Sequence, residues 1–397
     1  MSGARRPSWA RIVGFAALTL AAVGGGGLYL AKALQRTEPT IAVPPPPSAA
    51  PSNPMPASAP PRAVVPPIER ARSEMSSAPA AKPSAPRIAP APVAAVTSVP
   101  STPPSIMFRI TALGAAHGRL GVTPLAEGDR LPTVTALSCE RLHFSVDRGV
   151  CLTAERRMFA SYGATVFDSD FQTLHRLRLG GLPSRVRVAP DGRHAAITVF
   201  VSGHSYAASD FSTRTSFIDL RTGELGLENM ETFTVRRDGD IIKAPDFNFW
   251  GVTFARDGNR FYATLGTRGQ TYLIEGNLER REARVVRGEV ECPALSPDNT
   301  RVAFKKRTGG VISAVTWRLS VLDLATGKEW ELAETRSVDD QVEWLDDRQV
   351  LYGLLAAPSG TAVTNVWTVP ADGSGEPRLL VPGAASPVVV REPRRAG

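Results

Sequence analysis

One short phrase recurs along the chain: the apolar end of a strand, a tight polar turn, and a second apolar strand. It is clearest at 295–304, where Pro297, Asp298 and Asn299 form the predicted turn. Proline presets the bend, aspartate binds the backbone two residues further on, and asparagine or glycine tolerates a positive φ. Variants of the phrase contain Asp147, Asp191, Asp257 and Asp346. The basic unit of the chain is therefore predicted to be a β-hairpin.

A second phrase alternates with the first: an apolar strand, an acidic residue, and a short polar turn. Its acidic residues are Glu127, Asp168, Asp219, Glu275, Asp323 and Asp372. Two hairpins make a unit of four strands, and the aspartates of the first phrase are 44, 66, 41 and 48 residues apart. A period of roughly 40 to 50 residues is typical of propeller blades. The longest gap indicates one insertion.

The two phrases occur in unequal numbers, and this decides how the ring is expected to close. Six hairpins of the second kind and five of the first leave one inner strand missing. The apolar residues 387–390 are expected to supply it by pairing with the strand near 108–111, which removes the free sheet edge. The predicted fold class is all-β: a six-bladed β-propeller with shared-blade closure over 106–397, preceded by one transmembrane helix and a disordered Pro/Ala-rich tether.

The transmembrane helix is predicted within residues 1–36, as a basic cytoplasmic stub followed by a signal anchor. The segment 12–31 is almost wholly apolar or glycine, and three arginines precede it. About twenty such residues can span a bilayer, and the basic flank places the N-terminus in the cytoplasm. Secretion after cleavage is the alternative, because Ala31, Lys32 and Ala33 fit an Ala-x-Ala signal-peptidase site. The expected location is the cytoplasmic membrane, single-pass, with the propeller extracytoplasmic.

Residues 37–105 are dominated by proline, alanine and serine and have no sustained apolar period. Such a segment lacks the apolar surface needed to offset the entropy of ordering, and proline favours an extended chain of about 3.1 Å per residue. The prediction is a disordered linker that holds the propeller away from the membrane. A ligand for a proline-reading domain, around 44–47, is the alternative.

The net charge of +8 raises the question of nucleic-acid binding. The arginines are spread through turns, and an exported chain meets anionic envelope polymers before it meets DNA. The predicted partners are therefore an envelope protein, a peptide or an anionic polymer, and no nucleic acid. The five histidines lack the spacing of metal ligands, so neither a metal nor another cofactor is predicted.

The chain has three cysteines, which cannot all pair among themselves. Cys139 and Cys151 flank one predicted hairpin. Counting back from its turn places Cys151 opposite Phe144, and Cys139 then lies beyond bonding reach. Buried free thiols are expected, with a disulfide between Cys139 and Cys151 as the alternative.

The candidate binding residues lie in loops and joints on one face. In a four-stranded blade, the loop between the second and third strands shares a face with the link into the next blade, opposite the Asp-Gly turns. The residues predicted to bind a partner there are His204, Ser205, Tyr206, Asp210, Trp250, Glu291, Asp339, Asp340 and Gln341. No catalytic residue is assigned, because the sequence around Ser205 lacks the second glycine of a nucleophile elbow.

Several of these residues also have a structural alternative. Trp250 is of the aromatic kind that packs between blades. Asp339 and Asp340 together fit a solvated turn at the start of a strand, and His204 fits a local role in ordering its own loop. The binding interpretation therefore depends on the loop around Tyr206 being retained for recognition.

At these repeats the chain resembles the TolB-like propellers, whose blades carry a Ser-Pro-Asp-Gly turn followed by an apolar strand and an Asp-containing hairpin. The resemblance covers about 107–390 and is closest at 295–304 and 321–327. The segments 200–206, 250–254 and 338–344 more particularly resemble the bacterial TolB-like translocation proteins. This resemblance implies a role in the cell envelope without a defined reaction. The α/β domain that precedes the propeller of TolB is replaced here by the apolar segment and the linker.

The predicted function is a membrane-tethered interaction module that binds a protein or envelope polymer outside the cytoplasmic membrane. The alternative is a propeller hydrolase or lactonase with a cation in its central channel. Glu291, Asp339 and Asp340 are the carboxylates that would hold such a cation through hard oxygen contacts.

Overall fold

The computed structural model describes residues 104–125, 132–156, 160–201, 212–309, 314–356 and 362–391. The predicted transmembrane helix at 12–31 lies outside these residues, as does all but the end of the predicted linker. Within the described ranges, no helix has the length and apolar character needed to cross a membrane. The helical structure found there is one 3-10 turn at Met230–Thr232.

The strands form six sheets. The first contains β1 (Ser105–Ile110), β2 (Arg119–Pro124), β3 (Thr133–Ser138) and β26 (Ala384–Val390). The second contains β4 (Arg141–Ser145), β5 (Arg148–Arg156), β6 (Ala160–Asp168) and β7 (Thr173–Leu179). The third contains β8 (Leu182–Val188), β9 (His194–Val201), β10 (Ser212–Asp219) and β11 (Leu225–Leu227).

The fourth sheet is the largest, with β12 (Thr234–Arg237), β13 (Asp240–Ile242), β14 (Asn248–Phe254), β15 (Arg260–Thr267), β16 (Gln270–Asn277) and β17 (Glu282–Gly288). The fifth contains β18 (Glu291–Leu295), β19 (Arg301–Thr308), β20 (Thr316–Asp323) and β21 (Glu329–Glu331). The sixth contains β22 (Glu343–Trp344), β23 (Gln349–Leu355), β24 (Thr364–Pro370) and β25 (Arg378–Val381).

One edge strand of each sheet lies at the centre. These innermost strands are β26, β4, β8, β14, β18 and β22, and each contacts the innermost strands of the two neighbouring sheets. They form a closed ring around a central channel. The predicted six-bladed propeller is confirmed.

The turns obey the chemistry that predicted them. Asp191, Asp257 and Asp298 each accept a hydrogen bond from the backbone N–H two residues further on, at 2.9–3.0 Å. Asn299 and Gly258 have φ of 64° and 71°, in the left-handed region that asparagine and glycine tolerate. The carboxylate thus replaces a backbone partner and allows the chain to reverse between two apolar strands.

The first and last strands of the described chain share one sheet. β26 pairs antiparallel with β1, with Ser105 opposite Val390 and Met107 opposite Val388. Val388 is 1% exposed and packs in the core that β26 shares with the second sheet. The C-terminal strand therefore supplies the innermost strand of the first sheet.

The insertion between Asp191 and Asp257 contains a hairpin that the sequence analysis did not recognise. β12 and β13 form this hairpin, and β12 pairs in parallel with the outer strand β17. Aromatic packing holds the inserted chain against the blade, because the ring centroids of Phe233 and Phe261 are 5.8 Å apart. The inserted chain therefore widens the fourth blade to six strands.

Cys139 and Cys151 form a disulfide, with their Cα atoms 5.3 Å apart. The expectation of free thiols is wrong for this pair, and the reason is strand register. Cys151 lies opposite Leu142 and not opposite Phe144, because the hairpin turn is one residue nearer the N-terminus than the count assumed. Cys139 lies in the two-residue link between β3 and β4, where the N–H of Glu140 donates to the carbonyl of Leu152. The chain leaves the regular pairing there, and this brings Cys139 within bonding reach.

Candidate binding site

The channel has two chemically different ends. The innermost strands all run in the same direction, so their N-terminal ends meet at one end of the channel and their C-terminal ends at the other. The first is called the link side here, because the links between blades enter there. The second is the turn-side mouth, because the aspartate turns surround it.

The residues predicted to bind a partner belong to the link side. His204, Ser205, Tyr206 and Asp210 lie outside the described residues, between the link-side ends of β9 and β10. The other five, Trp250, Glu291, Asp339, Asp340 and Gln341, are described. The structure brings the three acids and Gln341 together around the start of β18 and the segment before β22.

The acids at the link side are paired with cations. Lys305 Nζ lies 2.5 Å from Asp339 Oδ1 and 4.0 Å from Glu291 Oε2. The Lys305 side chain is 4% exposed. Burial favours its neutral form, but neighbouring Cys292 and Asp339 raise the pKa of Lys305, so the ammonium group stays charged. Burial raises the pKa of Asp339, and the charge of Lys305 outweighs it and lowers that pKa.

Asp340 and Gln341 are also engaged inside the protein. Arg141 Nη1 donates to Asp340 Oδ1 at 3.3 Å, and the N–H of Gly353 donates to Oδ2 at 3.3 Å. The amide of Gln341 donates to the carbonyls of Val252 and Pro293, at 3.2 and 3.1 Å. Gln341 therefore ties three innermost strands together.

No group of three or more His, Cys, Asp or Glu side chains that could hold a metal ion occurs within the described ranges. Glu291 and Asp339 share Lys305, and Asp340 faces Arg141. Each carboxylate that the hydrolase alternative assigned to a cation therefore lies beside a lysine or arginine side chain.

Trp250 lies inside β14 and is 8% exposed. A Cβ on Gly266 of β15 would stand 2.7 Å from its indole ring, so the glycine makes room for this ring. The side chain therefore packs against the neighbouring strand of its own blade, whereas the structural alternative placed it between blades.

The turn-side mouth contains a cavity of about 370 Å³. Its wall includes residues from all six innermost strands or the turns that follow them, among them Val146, Pro190, Arg256, Pro297, Trp344 and Arg391. Ligand sites are commonly concave and about 300–1,000 Å³, with apolar walls and a few polar groups. The mouth has this size and composition.

The floor of the mouth is a buried ionic cluster. Arg187 binds the carboxylate of Glu343 directly and donates to the carbonyl of Val342 at 3.0 Å. Burial raises the pKa of Glu343, but Arg187 outweighs burial and holds it at about 2. His143 accepts the N–H of Val188 on Nδ1 at 3.1 Å, and burial followed by the charge of Arg187 lowers its pKa. In the floor, Glu343 therefore stays ionised, and the charge of Arg187 compensates it.

The rim of the mouth carries two arginines bound to backbone carbonyls. Arg256 Nη2 donates to the carbonyl of Pro297 at 2.8 Å, and Arg391 Nη2 donates to that of Leu345 at 2.9 Å. Both residues are exposed. Across the described part of the chain, neither forms an ion pair with a carboxylate at 4.0 Å or less. Their charges therefore face the cavity and solvent, and the charge of Arg391 also contributes to the lowered pKa of Glu343 in the floor.

A strained residue also lies on the rim. Val146 has a φ of 59°, and its side chain is 37% exposed. A β-branched residue rarely adopts a positive φ, and such strain costs about 1–3 kcal/mol and is concentrated at binding sites. The turn holds Val146 there because Ser145 pairs with Arg148 directly across it.

Contacts between successive turns hold the rim in place. Asp298 N–H donates to Asp347 at 2.9 Å, and Arg256 N–H donates to Asn299 at 2.9 Å. A Cβ on Gly258 would stand 2.2 Å from the carboxylate of Asp191, so these two turns are also in contact. The turns form a collar around the mouth, in which each turn positions its neighbour.

The turn-side cavity was not predicted from the sequence, because the aspartate turns around it were assigned to structure and the loops of the opposite face to binding. The usable signal was the variation within otherwise similar turns. Arg256 stands where Pro190 and Pro297 stand in other repeats, and Val146 stands directly before Asp147 in a position unsuited to valine. Glu343 and Arg187 had no local signal, because β8 and β22 meet only in the folded ring.

The fold and channel define a six-bladed β-propeller, as the repeats predicted. Among solved structures, the chain is similar to TolB from Acinetobacter baumannii, with a TM-score of 0.51, 16% sequence identity, and coverage of 73% of this chain and 67% of that chain. At this identity the likeness shows the fold alone.

Two further similarities are weaker. One is to a structure of the nidogen/laminin complex, with a TM-score of 0.47, 11% identity, and coverage of 72% of this chain and 98% of that chain. The other is to a puromycin-hydrolysing peptidase from Mycobacterium tuberculosis, with a TM-score of 0.42, 14% identity, and coverage of 72% and 46%. No protein-family model matches the chain, and no curated protein matches it.

Proposed function

We propose that this protein is a binding module of the cell envelope that takes up a segment of a partner protein at the turn-side mouth. The observation that carries the proposal is the cavity of about 370 Å³, which combines apolar walls, unpaired arginine charges and a strained rim residue. Propellers place binding surfaces at the ends of their channels, and the similarity to TolB is consistent with this use of the fold.

The proposed location is outside the cytoplasmic membrane, with residues 12–31 as the anchor and 37–105 as the linker. The disulfide between Cys139 and Cys151 supports this part of the proposal. Disulfides persist in oxidising compartments and are rare in the cytoplasm. Secretion after cleavage near Ala33 remains the alternative, and the mass of the mature N-terminus distinguishes the two.

The link side is the second candidate surface, through His204, Ser205, Tyr206 and Asp210. The observation in its favour is that β9 ends and β10 begins at the link side, and these residues lie between the two strands in sequence. An enzymatic function has less support, because the carboxylates proposed to hold a cation already face Lys305 and Arg141.

Site-specific photo-crosslinking of the full chain in its native host tests the choice of surface. A crosslinking amino acid is placed at Val146 on the mouth, at Leu113 on the link side, or at Ile241 on the outer hairpin, all of them exposed. A discrete protein adduct from Val146, with none from Leu113 or Ile241, is expected. Adducts from Leu113 alone would move the binding site to the link side.

A further inference from the structure

We propose that the turn-side mouth selects a peptide segment that is acidic and carries an apolar side chain between its acids. This inference rests on the proposed function and adds the chemistry of the partner. It follows from the charges of the rim, the state of the floor, and the apolar wall between them.

The charge of the mouth is positive. Its lining residues include Arg187, Arg256 and Arg391, and the carboxylate among them is Glu343. Because Glu343 is bound by Arg187, these two groups cancel. Arg256 and Arg391 remain, and both are held by backbone carbonyls, which fix a guanidinium group without neutralising it.

The aspartates of the collar do not cancel this charge locally. They keep their charge but do not line the cavity, because hydrogen bonds from backbone N–H groups hold Asp191 and Asp298 in their turns outside it. Asp347 accepts the N–H of Asp298, and the carboxylate of Asp298 is also within 3.3 Å of Arg301. A ligand carboxylate in the mouth therefore meets Arg256 and Arg391 first. Arginine binds carboxylates through paired, charge-assisted hydrogen bonds.

Part of the wall of the cavity is apolar. Val146, Pro190, Pro297 and Val390 line the cavity together with Phe144. This arrangement suits a side chain such as leucine or phenylalanine, flanked by acids that reach the rim. An anionic polysaccharide has no such side chain, so the combination favours an acidic peptide over an envelope polymer.

Fluorescence anisotropy with the purified full chain tests this chemistry. The probe is a fluorescein-labelled octapeptide with a central Leu-Phe pair and three glutamates on each side. We expect binding to weaken about tenfold when the glutamates are replaced by glutamines, and to weaken with rising salt. Replacing the Leu-Phe pair with two glutamates should also weaken binding. Equal binding of the glutamine peptide, or no binding of the acidic peptide, would overturn the proposal.

Variants of the rim locate the effect. Arg256→Gln is expected to weaken binding of the acidic peptide by about tenfold, and Arg256→Glu is expected to weaken it further. Arg391→Gln should act like the first. The matched control is Arg236→Gln, because Arg236 is exposed and donates to the carbonyl of Gly239 on the outer hairpin. An equal loss in Arg236→Gln would mean that net charge, and not the mouth, binds the peptide.

The crosslinking experiment separates failure of this inference from failure of the proposed function. If the adduct from Val146 forms equally in wild type and in Arg256→Glu, the mouth binds a protein but does not select acids. If Leu113 alone forms an adduct, the mouth is not the binding surface and both proposals are wrong. Loss of the Val146 adduct in Arg256→Glu, with retention in Arg236→Gln, supports both.

Discussion

The two ends of the channel use similar residues for opposite purposes. At the link side, Lys305 and Arg141 each face a carboxylate from the segment before β22, so these charges compensate one another. At the turn-side mouth, Arg256 and Arg391 are held by carbonyl oxygens, and their charges remain available. The two ends differ in the group that each lysine or arginine contacts, a carboxylate at the link side and a backbone carbonyl at the turn-side mouth. Charged residues around a channel therefore indicate a binding site only when their own partners leave the charge uncompensated.

Removal of β26 is expected to have the largest effect, because this strand forms part of the wall at both ends. A chain ending at Ala385 loses Val388, Val389 and Val390, which are 1%, 5% and 7% exposed. Each fully buried valine contributes about 1.5–3 kcal/mol, so the loss should exceed about 5 kcal/mol. Thermal unfolding measures it. A truncated chain that melts within a degree or two of the full chain would contradict this role of β26.

Glu343→Gln is expected to damage the floor of the mouth and leave the link side unchanged. Removing one partner of a buried ion pair costs about 3–5 kcal/mol, because Arg187 stays buried without its counter-charge. The matched control is Glu275→Gln, which breaks a pair with Arg284, a side chain that is 65% exposed. An exposed pair contributes about 0–1 kcal/mol. Equal losses in chemical denaturation would show that the floor is not a buried cluster.

The same substitution has a signature in acid. The folded-state pKa of Glu343 is about 2, below its ordinary value of 4.5. A depressed carboxyl pKa stabilises the fold fully above the ordinary value, and this stabilisation is lost as the pH falls through the folded value. The wild type should therefore lose stability between pH 4.5 and about 2 more steeply than Glu343→Gln. Parallel curves over that range would exclude Glu343 as the titrating group.

The disulfide is expected to stabilise the region between the first and second blades, which leads into the link side. The bonded cysteines are 12 residues apart, and a loop of similar length gains about 3 kcal/mol from closure. The double variant Cys139→Ala/Cys151→Ala should lose about this much in denaturant. Cys292→Ala is the control for thiol chemistry. A wild type whose midpoint does not change on reduction would contradict the contribution of the disulfide.

Val146→Asn is expected to have the smallest effect on stability and to act only at the mouth. Asparagine tolerates a positive φ, so relief of strain offsets the loss of a half-exposed valine, and the free energy of unfolding should change by less than about 1 kcal/mol. Binding of the acidic peptide should nevertheless weaken, because the apolar wall is lost. A large loss of stability would show that Val146 belongs to the core.

Most of the fold could be predicted from the sequence, because each blade of the propeller repeats the same local turn chemistry. Each aspartate turn could be recognised from a few neighbouring residues, and the observed bonds at Asp191, Asp257 and Asp298 follow that chemistry. The β12–β13 hairpin was missed because it depends on parallel pairing with β17, which lies outside the repeat. The disulfide was only the alternative expectation, because a small change in strand register and in the link before β4 decides whether the two cysteines meet.

The candidate site was harder to predict, because its residues come together only when the ring forms. Arg187 and Glu343 are far apart in sequence, and neither has a distinctive neighbour. The link-side acids were recognised as a cluster, but their role depends on Lys305 and Arg141, which lie in other strands. The sequence can show that several acidic residues lie on one face of a fold, but it cannot show which lysine or arginine each of them contacts.

The pairing of β1 with β26 also determines how the ring responds to mechanical force. Ser105 lies opposite Val390, so the beginning of one strand and the end of the other are neighbours in an antiparallel pair. A load that pulls these two points apart peels the hydrogen bonds open one after another instead of shearing them together. Tension between the two ends of the propeller would thus open the first blade before the other five. The pairing of β1 with β26 closes the ring, and it is also expected to separate first under force.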